Sequence, residues 1–184
     1  MTRLFVALNI PEDIKAEINA IRKEAEGSDL SSLRWEKDDK LHLTLKFIGE
    51  VEDSLVEDIK NALMFLKEYP VLNCSLGKFG FFYRNGVPGI LWIGLDTDKV
   101  IYDIVSRVNN ELEKFKIKPE TKKFRSHLTL LRIKDKMLPH FIEGFEKYEV
   151  PQISFKASSI SLIESKLLKS GSVYTEVYNY VLKS

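Results

Sequence analysis

The chain has 184 residues, of which 44% are apolar and 30% charged, with a formal net charge of +1. That length suits one compact domain with a sizeable core, and the near-neutral balance means any nucleic-acid contact must come from a local patch. The single cysteine, Cys74, excludes an internal disulfide or a cysteine-based metal site, and no apolar run approaches the roughly 20 residues needed to cross a bilayer.

Arg3 to Leu8 reads as a buried strand, with no signal-peptide pattern before Pro11-Glu12-Asp13, so a reducing cytoplasmic setting is expected. Pro11 and the two acids open a helix carrying Ile14, Ile18, Ile21 and Ala25 at helical spacing, which Gly27-Ser28 should end. Leu41 to Ile48 is strand-like and stops at Gly49. A second helix is expected from about Asp53, with Leu55, Val56, Ile59, Leu63 and Leu66 on one side and Tyr69-Pro70 closing it. Val71 to Phe82 and Ile90 to Leu95 are strands around the loop Arg84 to Gly89. Asp96 is placed to cap a third helix, whose stripe is Val100, Ile101, Ile104, Val105, Val108 and Leu112. Phe124 to Ile133 is a strand, and Pro139 to Tyr148 a short helix or irregular segment. Val150 to Ile163 and Ser172 to Leu182 are two final strands joined through Gly171. Helices mixed with neighbouring strand pairs favour an α+β fold with antiparallel pairing over a doubly wound sheet.

His-Leu-Thr-Leu occurs twice, at His42 to Leu45 and at His127 to Leu130, about half a chain apart, in a protein with only three histidines. On a strand, residues i and i+2 share a face, so each copy aims an imidazole and a hydroxyl in one direction and its leucines at the core. Histidine titrates near neutrality, so one ring can act as general base and another as general acid. Threonine hydroxyls can donate to phosphoryl oxygens where transition-state charge is held. This is equipment for phosphodiester hydrolysis without a metal or other cofactor. A zinc site would need a third ligand; no HExxH helix or cysteine pair exists, and His140 reads as a surface residue.

These motifs resemble those of the 2H phosphoesterase superfamily, and within it the RNA 2′,3′-cyclic phosphodiesterases, also called 2′-5′ RNA ligases. The resemblance covers nearly the whole chain: Arg3-Leu4-Phe5-Val6-Ala7, Leu41 to Glu50, Leu91-Trp92-Ile93-Gly94-Leu95, Phe124 with His127 to Arg132, and Gly171 with Tyr174. One departure is Ser126, where the family commonly has proline before the second histidine. The resemblance implies a single bilobal domain over residues 1–184, with two antiparallel sheets and flanking helices around a central groove, related by a pseudo-two-fold. It implies hydrolysis of RNA 2′,3′-cyclic phosphate ends to 2′-phosphates, with reversible 2′-5′ ligation as the same chemistry run backwards. His42 is then the proton donor and His127 the proton acceptor, with Thr44 and Thr129 on the phosphate. The implied substrate is RNA with a 2′,3′-cyclic phosphate, or a small cyclic nucleotide, and a monomer is expected. The reading from another class is a non-catalytic RNA- or nucleotide-binding module with the same fold.

Further residues carry two readings each. Strict alternation turns Arg132 away from His127, whereas a bulge would turn it towards the phosphate. The basic run Lys114, Lys116, Lys118, Lys122, Lys123 and Arg125 is either an RNA-backbone contact or a solvated loop. Among Phe81, Phe82, Tyr83 and Trp92, Trp92 is expected in the core and Tyr83 as a stacking platform for a terminal base.

Overall fold

In the computed structural model, which describes residues 1–26, 33–134, 137, 139–169 and 171–184, eight strands join one curled antiparallel sheet. They are β1 (Thr2–Asn9), β2 (His42–Val51), β3 (Leu72–Arg84), β4 (Val87–Thr97), β5 (His127–Arg132), β6 (Ser154–Ala157), β7 (Ser159–Leu168) and β8 (Gly171–Val181). The α-helices among the described residues are α1 (Glu12–Glu26), α2 (Val56–Ala62), α3 (Val100–Glu113) and α4 (Pro139–Lys147). No helix among these residues is long and apolar enough to cross a membrane.

The strand order is β6-β3-β4-β5-β2-β1-β7-β8, so each motif strand lies at the inner end of a four-strand half. The expected two sheets are one, because β2 and β5 pair through a single bridge, Leu43 with Leu128. The expected strand from Val150 to Ile163 is also two strands. β6 pairs with β3 at one edge, whereas β7 pairs with β1 near the other, and only Ser158 lies between them. Consecutive Cα atoms are about 3.8 Å apart, so a one-residue link between distant sheet positions requires the sheet to curl on itself. Leu182 N–H donating to Ser158 O at 2.8 Å and Val71 N–H to Lys183 O at 3.0 Å hold that corner.

Local chemistry explains the other boundaries. β3 and β4 form a hairpin, not strands around a six-residue loop: Asn85 and Gly86 both take positive φ (51° and 76°), which fits a two-residue turn of right-handed twist. The second expected helix breaks into a 3-10 turn at Asp53–Leu55, α2, and a 3-10 stretch at Met64–Glu68. At the break, Leu63 N–H is shared between Ile59 O (3.2 Å) and Lys60 O (3.3 Å), and tighter winding there buries Leu63, Phe65 and Leu66 together. Asp96 belongs to β4 opposite Ser75, not to the third helix; Asp98 O accepts from Ile101 N–H before α3 begins. The apolar face of α1 (Ile14, Ile18, Ile21, Ala25) is buried as its spacing predicts, and its expected stop at Gly27-Ser28 lies outside the described residues. α4 packs on β3 and α1, and α3 on β2, so the helices cover the sheet face carrying Leu43 and Leu128.

Candidate active site

Leu43 and Leu128 are fully buried, so their neighbours on the same strands face away from the core. Because β2 and β5 run antiparallel through that bridge, His42 and Thr129 lie one step to one side of it, and Thr44 and His127 one step to the other. Each histidine thus sits beside the other copy's threonine. All four line one cleft of ≈ 230 Å³, together with Arg132, Lys40, Phe47, Arg125 and Tyr174.

Each imidazole is fixed in the same way. His42 Nδ1–H donates to Lys40 O and His127 Nδ1–H to Arg125 O, both at 2.7 Å and both two residues back along the chain. A carbonyl only accepts, so this bond sets the tautomer and leaves Nε2 with the lone pair in each neutral ring. Thr44 Oγ1 lies 3.1 Å from His42 Nε2 and donates to it, whereas His127 Nε2 has no hydrogen-bond partner among the described residues.

Aromatic rings wall both histidines. Phe5 and Tyr174 pack on His42 at 4.9 and 5.5 Å between centroids, and Phe82 and Trp92 on His127 at 4.8 and 6.2 Å. Burial disfavours the imidazolium, pushing His42 down to about 4 against the help of its Lys40 bond, with Lys15 and Arg132 adding positive charge. His127 is lowered by burial too, with Arg125 and Arg132 acting in the same direction. Both rings therefore favour the neutral form at neutral pH.

Arg132 reaches the cleft because β5 is bulged. Leu91 pairs with Leu131 and Trp92 with Thr129, which leaves Leu130 as the extra residue and returns Arg132 to the face of His127 and Thr129. The matching irregularity in β2 falls at Leu45, between the pairs Val6–Lys46 and Ala7–Thr44, and brings Phe47 to the face of His42. Arg132 Nε is 3.3 Å from Glu36 Oε1 at the cleft edge.

The other expected residues are placed apart. Arg125 lines the cleft, but Lys122 and Lys123 are exposed beyond its lining. Tyr83 is exposed at the β3–β4 hairpin, where its hydroxyl donates to Glu146 at 3.1 Å, outside the cleft. Trp92 lies half-buried against Phe82. His140 is exposed at the start of α4. The sequence reading missed Tyr174, Lys40, Glu36 and Lys46 as cleft residues. Lys46 is 4% exposed and donates to Lys118 O at 2.6 Å, tying the basic segment before β5 to the cleft wall.

The family model described as LigT like phosphoesterase matches twice, over residues 8–92 and 93–174, with one motif strand in each match. The chain belongs to the LigT-like phosphoesterases of the 2H phosphoesterase superfamily. This LigT-like chain is 24% identical over 181 residues to an RNA 2′,3′-cyclic phosphodiesterase of Thermotoga maritima, covering 96% of this chain and 93% of the relative. It is 31% identical over 148 residues to a protein of the same name from Aeropyrum pernix, covering 77% and 82%. The crystal structure of E. coli LigT complexed with 3′-AMP matches its fold with a TM-score of 0.78 at 21% identity, over 100% of this chain and 99% of that one. A phosphoesterase role follows from the family.

Proposed function

We propose that this LigT-like protein opens 2′,3′-cyclic phosphate ends of RNA to 2′-phosphates, by acid–base catalysis between His42 and His127. The observation that carries this reading is the antiparallel crossing at Leu43–Leu128, which sets two imidazoles and two hydroxyls around one small cleft with both Nε2 lone pairs free of the backbone. Relatives named RNA 2′,3′-cyclic phosphodiesterase supply the substrate class.

In this scheme His127 Nε2 takes a proton from water as the water oxygen attacks phosphorus. The bond from phosphorus to the 3′ oxygen breaks, and His42 Nε2–H protonates that oxygen, giving a 3′-hydroxyl and a 2′-phosphate. Thr44, Thr129 and Arg132 hold the non-bridging oxygens. The free lone pair on His127 suits a base. His42 must be protonated by the time the 3′ oxygen leaves, and the phosphate anion beside it raises its affinity for the proton. The depression of His42 to about 4 is the observation that favours the reverse division of roles. The scheme draws on no metal, and 2′-5′ joining is its reversal with an RNA hydroxyl in place of water. The two motif strands act as one bilobal unit with an approximate two-fold between its halves.

Incubation with an oligonucleotide bearing a 2′,3′-cyclic phosphate, in EDTA, tests the reading. A 2′-phosphate product that disappears in His42→Ala and His127→Ala is expected. A 3′-phosphate product would overturn the regiochemistry, and activity lost to EDTA and restored by a divalent ion would overturn the metal-free scheme.

A further inference from the structure

The central cleft opens sideways into a larger trough of ≈ 990 Å³, and Glu36, Lys40, Phe47, Arg132 and Tyr174 line both. The cleft itself, at ≈ 230 Å³, is smaller than the roughly 300–1,000 Å³ of ligand pockets and suits a cyclic phosphate and its ribose better than a whole nucleotide. Whatever is attached to that ribose must therefore lie outside it, and the trough is continuous with it.

One wall of the trough is an overhang. β7 pairs with β1 only from Ile160 to Glu164, and beyond that point Ser165 to Leu168 pair with β8 alone. The overhanging hairpin presents Leu167 and Leu168, 64% and 55% exposed, and Lys169. The facing wall is the segment of residues 33–37, which is held to β5 by Glu36 N–H donating to Leu130 O at 2.8 Å and by the Trp35–Leu131 bridge.

The charge of this trough is unlike that of the chain. The whole sequence has 28 basic and 27 acidic residues, yet among the described residues the trough is lined by seven basic side chains and one carboxylate, Glu36. Glu36 is already engaged by Arg132. Arg3, Arg34, Lys37, Lys134 and Lys169 have no carboxylate partner among the described residues. Unpaired cations beside exposed apolar side chains match a single-stranded nucleic acid, whose phosphates want the charge and whose bases want the apolar surface.

We infer that this trough holds the RNA strand leading to the cyclic end, and that it makes the enzyme selective for oligonucleotides over cyclic mononucleotides. The inference rests on the central cleft being the cyclic-phosphate site. It locates strand recognition on the β7–β8 overhang and residues 33–37, not on the basic segment of Lys122 and Lys123, which lies outside the trough lining.

The test compares a 2′,3′-cyclic mononucleotide with a short oligoribonucleotide ending in the same group, for the unaltered protein and for Arg34→Glu/Lys169→Glu, one change on each wall. The unaltered protein should favour the oligonucleotide in kcat/KM by about tenfold or more, and this advantage should fall with salt by about 0.7 in log Kd per log unit for each phosphate held. The double variant should lose that advantage through KM and keep its rate on the mononucleotide. Equal efficiency on both substrates in the unaltered protein, or an unchanged oligonucleotide KM in the variant, overturns the inference. Fluorescence anisotropy of a labelled RNA with a 2′-phosphate end separates the two readings. If neither substrate is cleaved yet RNA binds and the double variant weakens it, the catalytic reading fails and the trough stands. If the RNA binds no better to the unaltered protein than to the variant, the trough reading fails, and an acidic protein partner becomes the occupant to seek.

Discussion

Arg132 occupies on β5 the place that Phe47 occupies on β2. Each lies five residues after its histidine, and each is returned to the histidine's face by an irregularity three residues after it, at Leu130 and Leu45. The two halves of the site are thus alike in backbone and unlike in chemistry. One brings a guanidinium to the cleft and the other a ring that is 57% exposed.

This asymmetry predicts the effect of removing Arg132. It is the cation that bears on both histidines, lowering each, and it lines the cleft with them. Arg132→Ala should reduce kcat/KM by about 10²-fold, the scale seen when one transition-state donor is lost. Both imidazoles should then hold protons more readily, so the acidic limb of the pH–rate profile should move up in pH. A loss of rate with an unmoved limb would place Arg132 in binding alone.

The period-two spacing made the histidines and threonines legible, because it needs only local strand geometry. The bulge at Leu130 was not legible, since it exists only in the register of β5 against β4, a strand thirty-odd residues earlier in the chain. Tyr174 reaches His42 through β8, β7 and β1, and nothing local to Gly171–Val181 signals this. The trough was hidden for the same reason. Its walls meet only after the sheet curls, and the curl is set by Ser158, inside a stretch that reads as one strand. The longest local basic run, before β5, reaches the cleft lining through Arg125, and Lys122 and Lys123 do not line it.

The burial of His42 also predicts an acid sensitivity. Its folded-state value is depressed to about 4 from an ordinary 6.5, so the unfolded chain binds the proton first as pH falls. The stability it contributes is fully present above pH 6.5 and is lost between 6.5 and about 4, amounting to at most about 3 kcal/mol. Thermal denaturation should show a fall in Tm across that window that is smaller in His42→Gln. An NMR titration should find the His42 ring neutral at pH 6 in the free protein and protonated more readily once a phosphate anion fills the cleft. An identical Tm profile in the variant would count against burial as the cause.

Ser126 stands where the family commonly has proline, and the structure gives the exchange a sign. Its hydroxyl is buried without a hydrogen-bond partner, and its N–H makes no backbone hydrogen bond among the described residues. Its carbonyl, which proline would keep, accepts from Leu95 N–H at 3.2 Å. Ser126→Pro therefore removes an unmatched polar atom and stiffens the unfolded chain, and it should raise stability by about 0.4–1 kcal/mol. The Arg125 carbonyl that orients His127 is untouched, so turnover should stay within a few-fold. A destabilised Ser126→Pro protein would show that the backbone at 126 is not open to the proline ring.

Gly80 gives a test of how His127 is held from behind. It pairs with Trp92 across β3 and β4, and a Cβ at Gly80 would overlap the six-membered ring of Trp92. That indole packs on Phe82 at 5.3 Å, and both rings wall His127. Gly80→Ala must push Trp92 off its place, costing about 1–3 kcal/mol of stability by overpacking and letting the imidazole wall shift. The expected result is a folded protein with altered tryptophan fluorescence, reduced kcat and little change in KM, because neither Gly80 nor Trp92 lines the cleft or the trough. Gly89→Ala is the control, since a Cβ there meets only Phe82 O at an ordinary 3.7 Å. Equal losses in the two variants would mean that the effect comes from strand backbone rather than from the ring behind His127.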